Sequence, residues 1–529
     1  MPKIIIDQSE VEVPPEATIL DAARLLGIDI PTLCYLQGYE PSTSCLVCMV
    51  RIRGTDRFVP ACATRVWDTM EVESETPAVH QVRRAALELL LSDHVGDCLA
   101  PCLFTCPAHM DIPTMLRQIA RENWREAIVT IKHDIALPAV LGRVCPKPCE
   151  KGCRRAGADG AVAVCKLKQF AADADLASAA PFVPECRPAT GKRVAIIGGG
   201  PTGLAAAYHL RQAGHAVSIF ERRGELGGRL RTETSPDELP RDVLDAEIRA
   251  LLAVGIDVHP GVTIGDGTTL DDLRSRHDAV LVACGAIDKP SIAAWGLKAA
   301  QRGIAINKDT FATDLVGVYA AGNAIRTTGL VVRSVADGKE AAASIDRFLS
   351  GEPAVPLQKP FSSRMGRLEP DELDVFVSAA GAAPRSEGED GHFTAAEAVE
   401  QASRCLHCDC SGLGACRLKR YAAQYGADPG RYRGARAKFE RCAQHSFVVY
   451  EPGKCINCGL CIQIASRAQE PLGLAFVGRG FDVRVGVPFN RSLEEALTRV
   501  AVECIAACPT AALSARPQTP ASSLPILRT

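Results

Sequence analysis

The stretch from Val194 to Gly203, followed by Glu221, constrains what this chain can fold into more than any other part of it. It reads as strand, glycine turn, helix, strand and acid. Val194 to Ile197 is a short apolar run suited to a buried parallel strand. Gly198, Gly200 and Gly203 follow in G-x-G-x-x-G spacing. The first permits a tight turn, the second lets backbone approach a pyrophosphate, and the third lets helix pack on strand. Pro201 suits a first helical turn, where its missing N–H is not needed. That helix start aims N–H groups and partial positive charge at phosphate. A second strand, Ala216 to Phe220, delivers Glu221 to accept from a ribose hydroxyl. The pattern predicts a dinucleotide site; the bland alternative is a glycine-rich turn in an ordinary α/β domain.

A chain of 529 residues is expected to hold about three to five domains. Its net charge of −2 gives no argument for nucleic acid or an anionic membrane surface, and 5% aromatic content offers little for base stacking. The start, Met1 to Ile4, lacks a signal-peptide pattern, and no apolar run is long enough to span a bilayer. A cytoplasmic location without membrane insertion is the expectation. Cysteine is the abnormal count. There are 23, bunched at short spacings, which points to metal or cluster ligation and away from disulfides.

Residues 1–75 read as a small β-grasp domain. Lys3 to Asp7 and Glu10 to Val13 are predicted to pair as a hairpin, and Thr18 with Asp21 forms a capping-box pattern opening a helix. Cys34, Cys45, Cys48 and Cys62 follow on loops and suit a [2Fe–2S] cluster, with a four-cysteine zinc site as the competing reading. The arrangement resembles the N-terminal domain of the large iron–sulfur subunit of respiratory complex I and of related hydrogenases and formate dehydrogenases.

Residues 76–178 are expected to be helical. A helix near Val79 to Ser92 leads into His94-x3-Cys98-x3-Cys102-x3-Cys106-Pro107. Helical stretches near Pro113 to Arg121 and Trp124 to Lys132 precede Cys145, Cys149, Cys153 and Cys165. These groups resemble the two-cluster domain of the glutamate synthase small subunit and of dihydropyrimidine dehydrogenase. The resemblance implies two [4Fe–4S] clusters with interleaved ligands. His94, Cys98, Cys102 and Cys153 would hold one; Cys106, Cys145 and Cys149 the other, with Cys165 or Gln169 as fourth ligand.

A linker, about Ser178 to Lys192, leads to residues 190–350. After Glu221 come Leu226-Gly-Gly-Arg229, then Ala279 to Ala286, then Gly317 to Asn323. This order resembles the FAD domain of the glutamate synthase small subunit and of disulfide reductases, and implies that Arg229, Gly322 and Asn323 join Gly198, Gly200, Gly203 and Glu221 at FAD. The family carries Gly-Asp where Gly322-Asn323 stands. Ser334 to Ala336 is expected to open a helix near the flavin ring. The family's second nucleotide-binding fold needs on the order of 100 residues. Only Ile287 to Phe311 fills that interval here, without a glycine fingerprint, so the chain is expected to lack its own NAD(P) site.

Residues 351–395 read as a linker. In 396–442, a helix Ala395 to Ala402 ends at Cys405-x2-Cys408-x-Cys410, with Cys416 beyond; a fourth [4Fe–4S] cluster and a zinc site compete there. In 443–516, Cys455-x2-Cys458-x2-Cys461 and a distant Cys508-Pro509 match one cluster of a bacterial ferredoxin. Ala465, Thr498 and Ala501 stand where second-cluster ligands would be, which leaves Cys504 as a buried thiol. Phe476 to Val485 has strand character, and the region resembles complex I large iron–sulfur subunits. Residues 517–529 read as a tail. Cys186 and Cys284 fit no group and read as structural.

The fold class expected is multidomain α/β plus α+β: β-grasp ferredoxin, helical two-cluster domain, Rossmann-like FAD domain and C-terminal ferredoxin-like domain. The cofactors expected are FAD, one [2Fe–2S] and three [4Fe–4S] clusters, or four, which amounts to roughly 14 to 18 Fe. No Ser-His-Asp set, carboxylate pair or H-E-x-x-H suggests another chemistry. The primary functional expectation is an electron-transfer subunit of a larger oxidoreductase of hydrogenase, formate dehydrogenase or NAD-linked bifurcating type, its partners a catalytic or NAD-binding flavin subunit. The alternatives are a free-standing ferredoxin-dependent flavin enzyme acting on a small molecule, and a zinc- and nucleotide-binding scaffold.

Overall fold

The computed structural model describes residues 1–326, 329–353, 355, 360–412 and 414–516. These form two compact units. One comprises the described residues of Met1–Ala100, Pro360–Val375 and Cys408–Thr529; the other comprises those of Pro101–Lys359 and Phe376–His407. The expected tail, 517–529, lies outside the described residues.

The first unit opens with a five-stranded mixed sheet. Its strands run in the order Ser9–Glu12, Lys3–Ile6, Met70–Glu73, Met49–Ile52, Phe58–Pro60. Lys3–Ile6 pairs antiparallel with Ser9–Glu12, the expected hairpin, and parallel with Met70–Glu73. Period-two alternation buries Ile4 and Ile6 while Lys3 faces solvent. The helix Ile19–Leu25 covers the sheet, and Thr18 and Asp21 form a reciprocal capping box. The helix Pro77–Ser92 then leads to His94. The later residues of this unit add two short antiparallel pairs, Val448–Tyr450 with Leu513–Ala515 and Ala475–Val477 with Arg484–Gly486. The expected strand over Phe476 to Val485 is thus a hairpin broken at Gly478 to Asp482, where Gly478 and Gly480 have positive φ.

The second unit begins with six helices between Pro101 and Leu176. Two lie where expected, Ile112–Ile119 and Trp124–Asp134. A five-stranded parallel sheet follows in the order Val318–Ala320, Ala279–Val282, Arg193–Ile197, Ala216–Glu221, Asp257–Pro260. The first strand in sequence sits in the middle, so the chain reverses direction across it. That switch point leaves a crevice beyond the carboxyl ends of the strands, where ligands bind in such sheets. The helices Pro201–Gln212 and Val331–Leu349 pack together against the sheet.

Three expectations change. The helix expected to open at Ser334 begins one turn earlier, at Val331, because Leu330 already holds the extended backbone of an N-terminal flank. The 351–395 segment is more than a linker: it carries the helix Pro370–Val377, and Glu372 there is buried, bound to Arg436 by two hydrogen bonds of 2.6 and 2.7 Å and to the Phe439 N–H. The 396–442 segment is divided between the two units at His407 and Cys408.

Candidate cofactor sites

The glycine turn lines a cavity of about 310 Å³ at the switch point. Gly198, Gly200, Glu221, Arg229 and Asn323 all border it. Gly203 does not; it works from behind. A Cβ there would lie 1.9 Å from the Gly198 carbonyl oxygen, so only glycine lets the helix close on the turn. At Gly200 a Cβ would meet nothing nearer than Gly228 Cα at 3.9 Å, so the backbone is bare toward the cavity. Glu221 is buried and its carboxylate is fixed: Oε2 accepts from the Gly199 N–H at 2.7 Å and Oε1 from the Arg223 N–H at 3.0 Å. Each oxygen keeps lone-pair capacity for a hydroxyl donor. Arg229 reaches across to Glu233 at 2.6 Å. Asn323 Oδ1 is buried with no hydrogen-bond partner, the mark of a group that awaits a ligand. Gly322, which lies just before it, has φ +67°. These residues fit a dinucleotide: bare backbone for a pyrophosphate, an anchored carboxylate for a ribose, and an unmet acceptor further along.

A second cavity, about 850 Å³, shares Gly329 with the first and extends past Leu330 and Arg333 to Pro107, the residue after Cys106. Sequence reasoning did not reveal it, because its walls come from 200 residues apart. It also missed Thr202, Arg222, Arg223 and Cys284 as cavity residues. Cys284 was expected to be structural; it borders the cavity, and burial pushes its thiol up to about 11. The signal was present, since Cys284 directly follows the strand facing the glycine turn. Cys186 is half-buried against the core, as a structural thiol would be.

Four cysteine groups surround the flavin-type cavity in sequence. Cys34, Cys45, Cys48 and Cys62 are all buried. Cys34 lies beside Cys45 and Cys62, whose thiols hold it well below the usual thiol range, and Cys62 likewise lowers Cys48. Leu46, between Cys45 and Cys48, has φ +54°. Such a conformation is unfavourable for leucine and turns the loop around the sulfur atoms.

In the second unit Cys165 lies beside Cys145 and Cys149, whose neighbouring thiols hold it well below the usual thiol range, and Cys106 is near Cys149. The Gln169 amide is engaged with Lys166 at 3.4 Å and His392 at 3.3 Å. Lys168, buried beside these thiols, is raised: burial opposes its charge, but Cys165, Cys145, Cys149 and Cys106 outweigh it. Cys102, Cys153 and Cys405 sit half-buried against the same core.

In the first unit Cys455, Cys458, Cys461 and Cys508 border one small cavity with Tyr450 and Thr510. Asn457, at φ +50°, turns its N–H onto Cys455 Sγ at 3.4 Å, and the Leu513 N–H reaches Cys508 Sγ at 3.4 Å. Cys504 is buried outside this set, as expected. A neighbouring cavity is bordered by His94, Cys98, Cys410 and Cys416. This differs from the expected sets, which placed His94 and Cys98 with Cys102 and Cys153, and Cys410 and Cys416 with Cys405 and Cys408. Among the described residues no three His, Cys, Asp or Glu side chains converge tightly enough to hold a single metal ion; the donors stand around cavities.

Comparison with known proteins agrees with this layout. Residues 3–77 match a 2Fe-2S iron-sulfur cluster binding domain, 92–180 match dihydropyrimidine dehydrogenase domain II with its 4Fe-4S cluster, and 153–338 match the pyridine nucleotide-disulphide oxidoreductases. The chain therefore combines [2Fe–2S], [4Fe–4S] and flavin-type oxidoreductase domains. It is similar to the NADP(+)-dependent formate dehydrogenase subunit beta of Moorella thermoacetica, 40% identical over 35% of this chain and 29% of that one. It is similar to the NADPH-Fe(3+) oxidoreductase subunit beta of Geobacter sulfurreducens, 38% identical over 35% of this chain and 28% of that one. It is also similar to the NAD-dependent dihydropyrimidine dehydrogenase subunit PreT of Escherichia coli, 37% identical over 38% of this chain and 50% of that one. The match spans under a third of the first two relatives and half of the third. Among solved structures, an NAD+-reducing [NiFe]-hydrogenase aligns over 98% of this chain and 90% of that one at 11% identity and a TM-score of 0.35, a likeness too slight to carry an argument. No helix among the described residues is long and apolar enough to cross a membrane.

Proposed function

We propose that this chain is the flavin and iron–sulfur electron-transfer subunit of a multi-subunit oxidoreductase. One observation supports the reading: in the second unit a second cavity, which shares Gly329 with the one at the glycine turn, is bordered by Pro107, the residue after Cys106. Bound FAD takes up electrons in pairs and gives them up singly, and the clusters carry them one at a time. The chain's own residues provide position and dielectric. Gly200 and the start of the helix Pro201–Gln212 offer backbone N–H groups to the pyrophosphate. Glu221, clamped by two N–H groups, receives the ribose. Asn323 meets the ribityl chain with a neutral acceptor where the resembling family has a carboxylate. Arg229 lies at the cavity mouth.

In this reading 1–75 is a β-grasp [2Fe–2S] domain, 76–178 contributes cluster ligands, 190–350 binds FAD and 443–516 is ferredoxin-like. Between Ile287 and Phe311 the chain has one six-residue helix and a pair of two-residue strands, well short of the roughly 100 residues of a nucleotide domain. We therefore assign nicotinamide exchange to a partner. Formate dehydrogenase, hydrogenase or NAD-binding flavin subunits are the partner classes that the relatives' names and the resemblance favour, with ferredoxin as the donor in the free-standing alternative.

The test is anaerobic. Reduced methyl viologen should bleach the flavin of the isolated full chain, and NADPH alone should not. A chain without flavin or iron, or one whose flavin NADPH reduces directly, overturns the reading. Turnover of a small molecule by the isolated chain would favour the free-standing enzyme. Glu221→Ala should lower flavin content at purification, since it removes both clamps on the turn, about 1–3 kcal/mol in all; unchanged flavin would mean that the ribose acid lies elsewhere.

A further inference from the structure

The stretch Arg417 to Arg441 holds eight Lys or Arg and two acids, in a chain whose net charge is −2. Residues 360–375 of the same unit pack against it, and with them the balance is still ten basic to six acidic. Half of the eight cations are neutralised. Arg431 meets Glu88 at 3.3 Å, Arg436 the buried Glu372 at 2.6 Å and Arg441 Glu451 at 2.9 Å, and Lys438 pairs with Asp371. Arg417, Lys419, Arg420 and Arg433 make no ion pair among the described residues. Arg417 donates to the Ala507 carbonyl at 3.0 Å, Arg420 to the Tyr421 hydroxyl at 2.8 Å and Arg433 to the Met365 carbonyl at 3.1 Å. None of these acceptors cancels a charge.

Three of the four stand in the first turn of the helix Arg417–Gln424, which holds no acid there. A helix N-terminus favours the opposite sign, so these cations do not serve the helix. Nor do they serve buried thiols. Lys454, whose Nζ lies 3.5 Å from Cys410 Sγ, is buried, whereas Arg420 and Arg433 are exposed. The positive face nevertheless adjoins a cysteine-lined cavity. Cys416 caps the helix, and Cys416, Lys419 and Phe361 all border that cavity. Two residues beyond Phe361, Ser363 Oγ lies 3.3 Å from Cys98 Sγ; two further on, Met365 holds Arg433. Tyr432 is exposed among the cations. Arginine and tyrosine are the residue types that anchor protein interfaces.

We propose that the face around Lys419, Arg420 and Arg433 is the docking surface of a small acidic electron-carrier protein. Its charge selects an acidic partner and steers the approach. The cysteines behind it favour a redox protein over nucleic acid, which would answer the charge alone. The exchange moves one electron from the reduced carrier to an iron–sulfur centre of the chain. The carrier is oxidised, the centre is reduced, and no bond forms or breaks.

The inference rests on the electron-transfer reading, and the experiment separates the two. The full chain, reconstituted anaerobically with iron, sulfide and FAD, is mixed in stopped flow with a reduced acidic [2Fe–2S] ferredoxin. The rate of reduction should fall about tenfold or more between low and high salt. Arg420→Glu combined with Arg433→Glu should lower the low-salt rate about tenfold and flatten its salt dependence. Arg420→Lys combined with Arg433→Lys keeps the charge and should keep the rate. Iron content, flavin content and the extent of reduction by methyl viologen report folding, and should match the parent in both variants. A ferredoxin rate indifferent to salt and to charge reversal overturns the docking surface. So does an equal loss in the lysine variant, which would make the two side chains structural. Binding of a duplex DNA probe that charge reversal abolishes, with the ferredoxin rate unmoved, would assign the face to nucleic acid instead. If methyl viologen reduces nothing in the parent chain, the electron-transfer reading itself fails.

Discussion

Two neighbouring cysteine cavities in the first unit are assembled in opposite ways. Cys455 and Cys458 stand on one loop and Cys461 in the first turn of the helix Leu460–Arg467 that follows it, so local backbone alone gathers three cysteines at one cavity, and the Pro509 that follows Cys508 marks the fourth. The His94 cavity takes two donors from each of two segments that only packing brings together. Cys405, Cys408, Cys410 and Cys416 look like one set on paper, yet the division between the two units falls between His407 and Cys408. His407 has φ +45°, a turn that spacing cannot reveal. Short spacing therefore tells which cysteines share a cavity only when they lie within one short segment.

The largest expected effect tests whether the two cavities are separate. Cys458→Ser should cost about four irons and leave flavin and the remaining iron bound. If more iron is lost, the shared wall at Thr510 makes the two cavities one cooperative element, and the contrast fails.

A smaller effect comes from Gly96. A Cβ there would lie 2.6 Å from Lys454 Cε and 3.3 Å from His94 Nε2. Lys454 cannot easily move, being held by Glu451, which also binds Arg441. Gly96→Val should therefore destabilise the chain by about 1–3 kcal/mol, read as a lowered melting temperature with partial loss of iron; an unchanged melting temperature would mean that the cavity wall yields at no cost.

The smallest effect is electrostatic. Lys454→Met removes the charge 3.5 Å from Cys410 Sγ. Spectroelectrochemical titration of the chain's iron–sulfur signals should show one moving to more negative potential and the others moving less, with iron unchanged. Equal shifts would mean that Lys454 acts on no single site.

The flavin half was the more legible. The glycine spacing, Pro201 and Glu221 predicted strand, turn, helix and acid, and each is where it was expected. Asn323 was located by its neighbours in sequence. The wider cavity between Gly329 and Pro107 was not, because Pro107 and Arg333 belong to different local patterns.

What the sequence determined by itself was a set of features governed by short-range geometry: the capping box at Thr18, the glycine turn, the grouping of Cys455, Cys458 and Cys461, and the presence of many metal donors. Those depend on dihedral angles and hydrogen bonds within a few residues. What only the tertiary structure decided was which distant side chains lie together: Cys165 beside Cys145 and Cys149, and His94 and Cys98 at one cavity with Cys410 and Cys416. The reason is physical. A cluster site needs its donors close in space, and chain separation sets no limit on that distance once apolar packing has closed the loop between them.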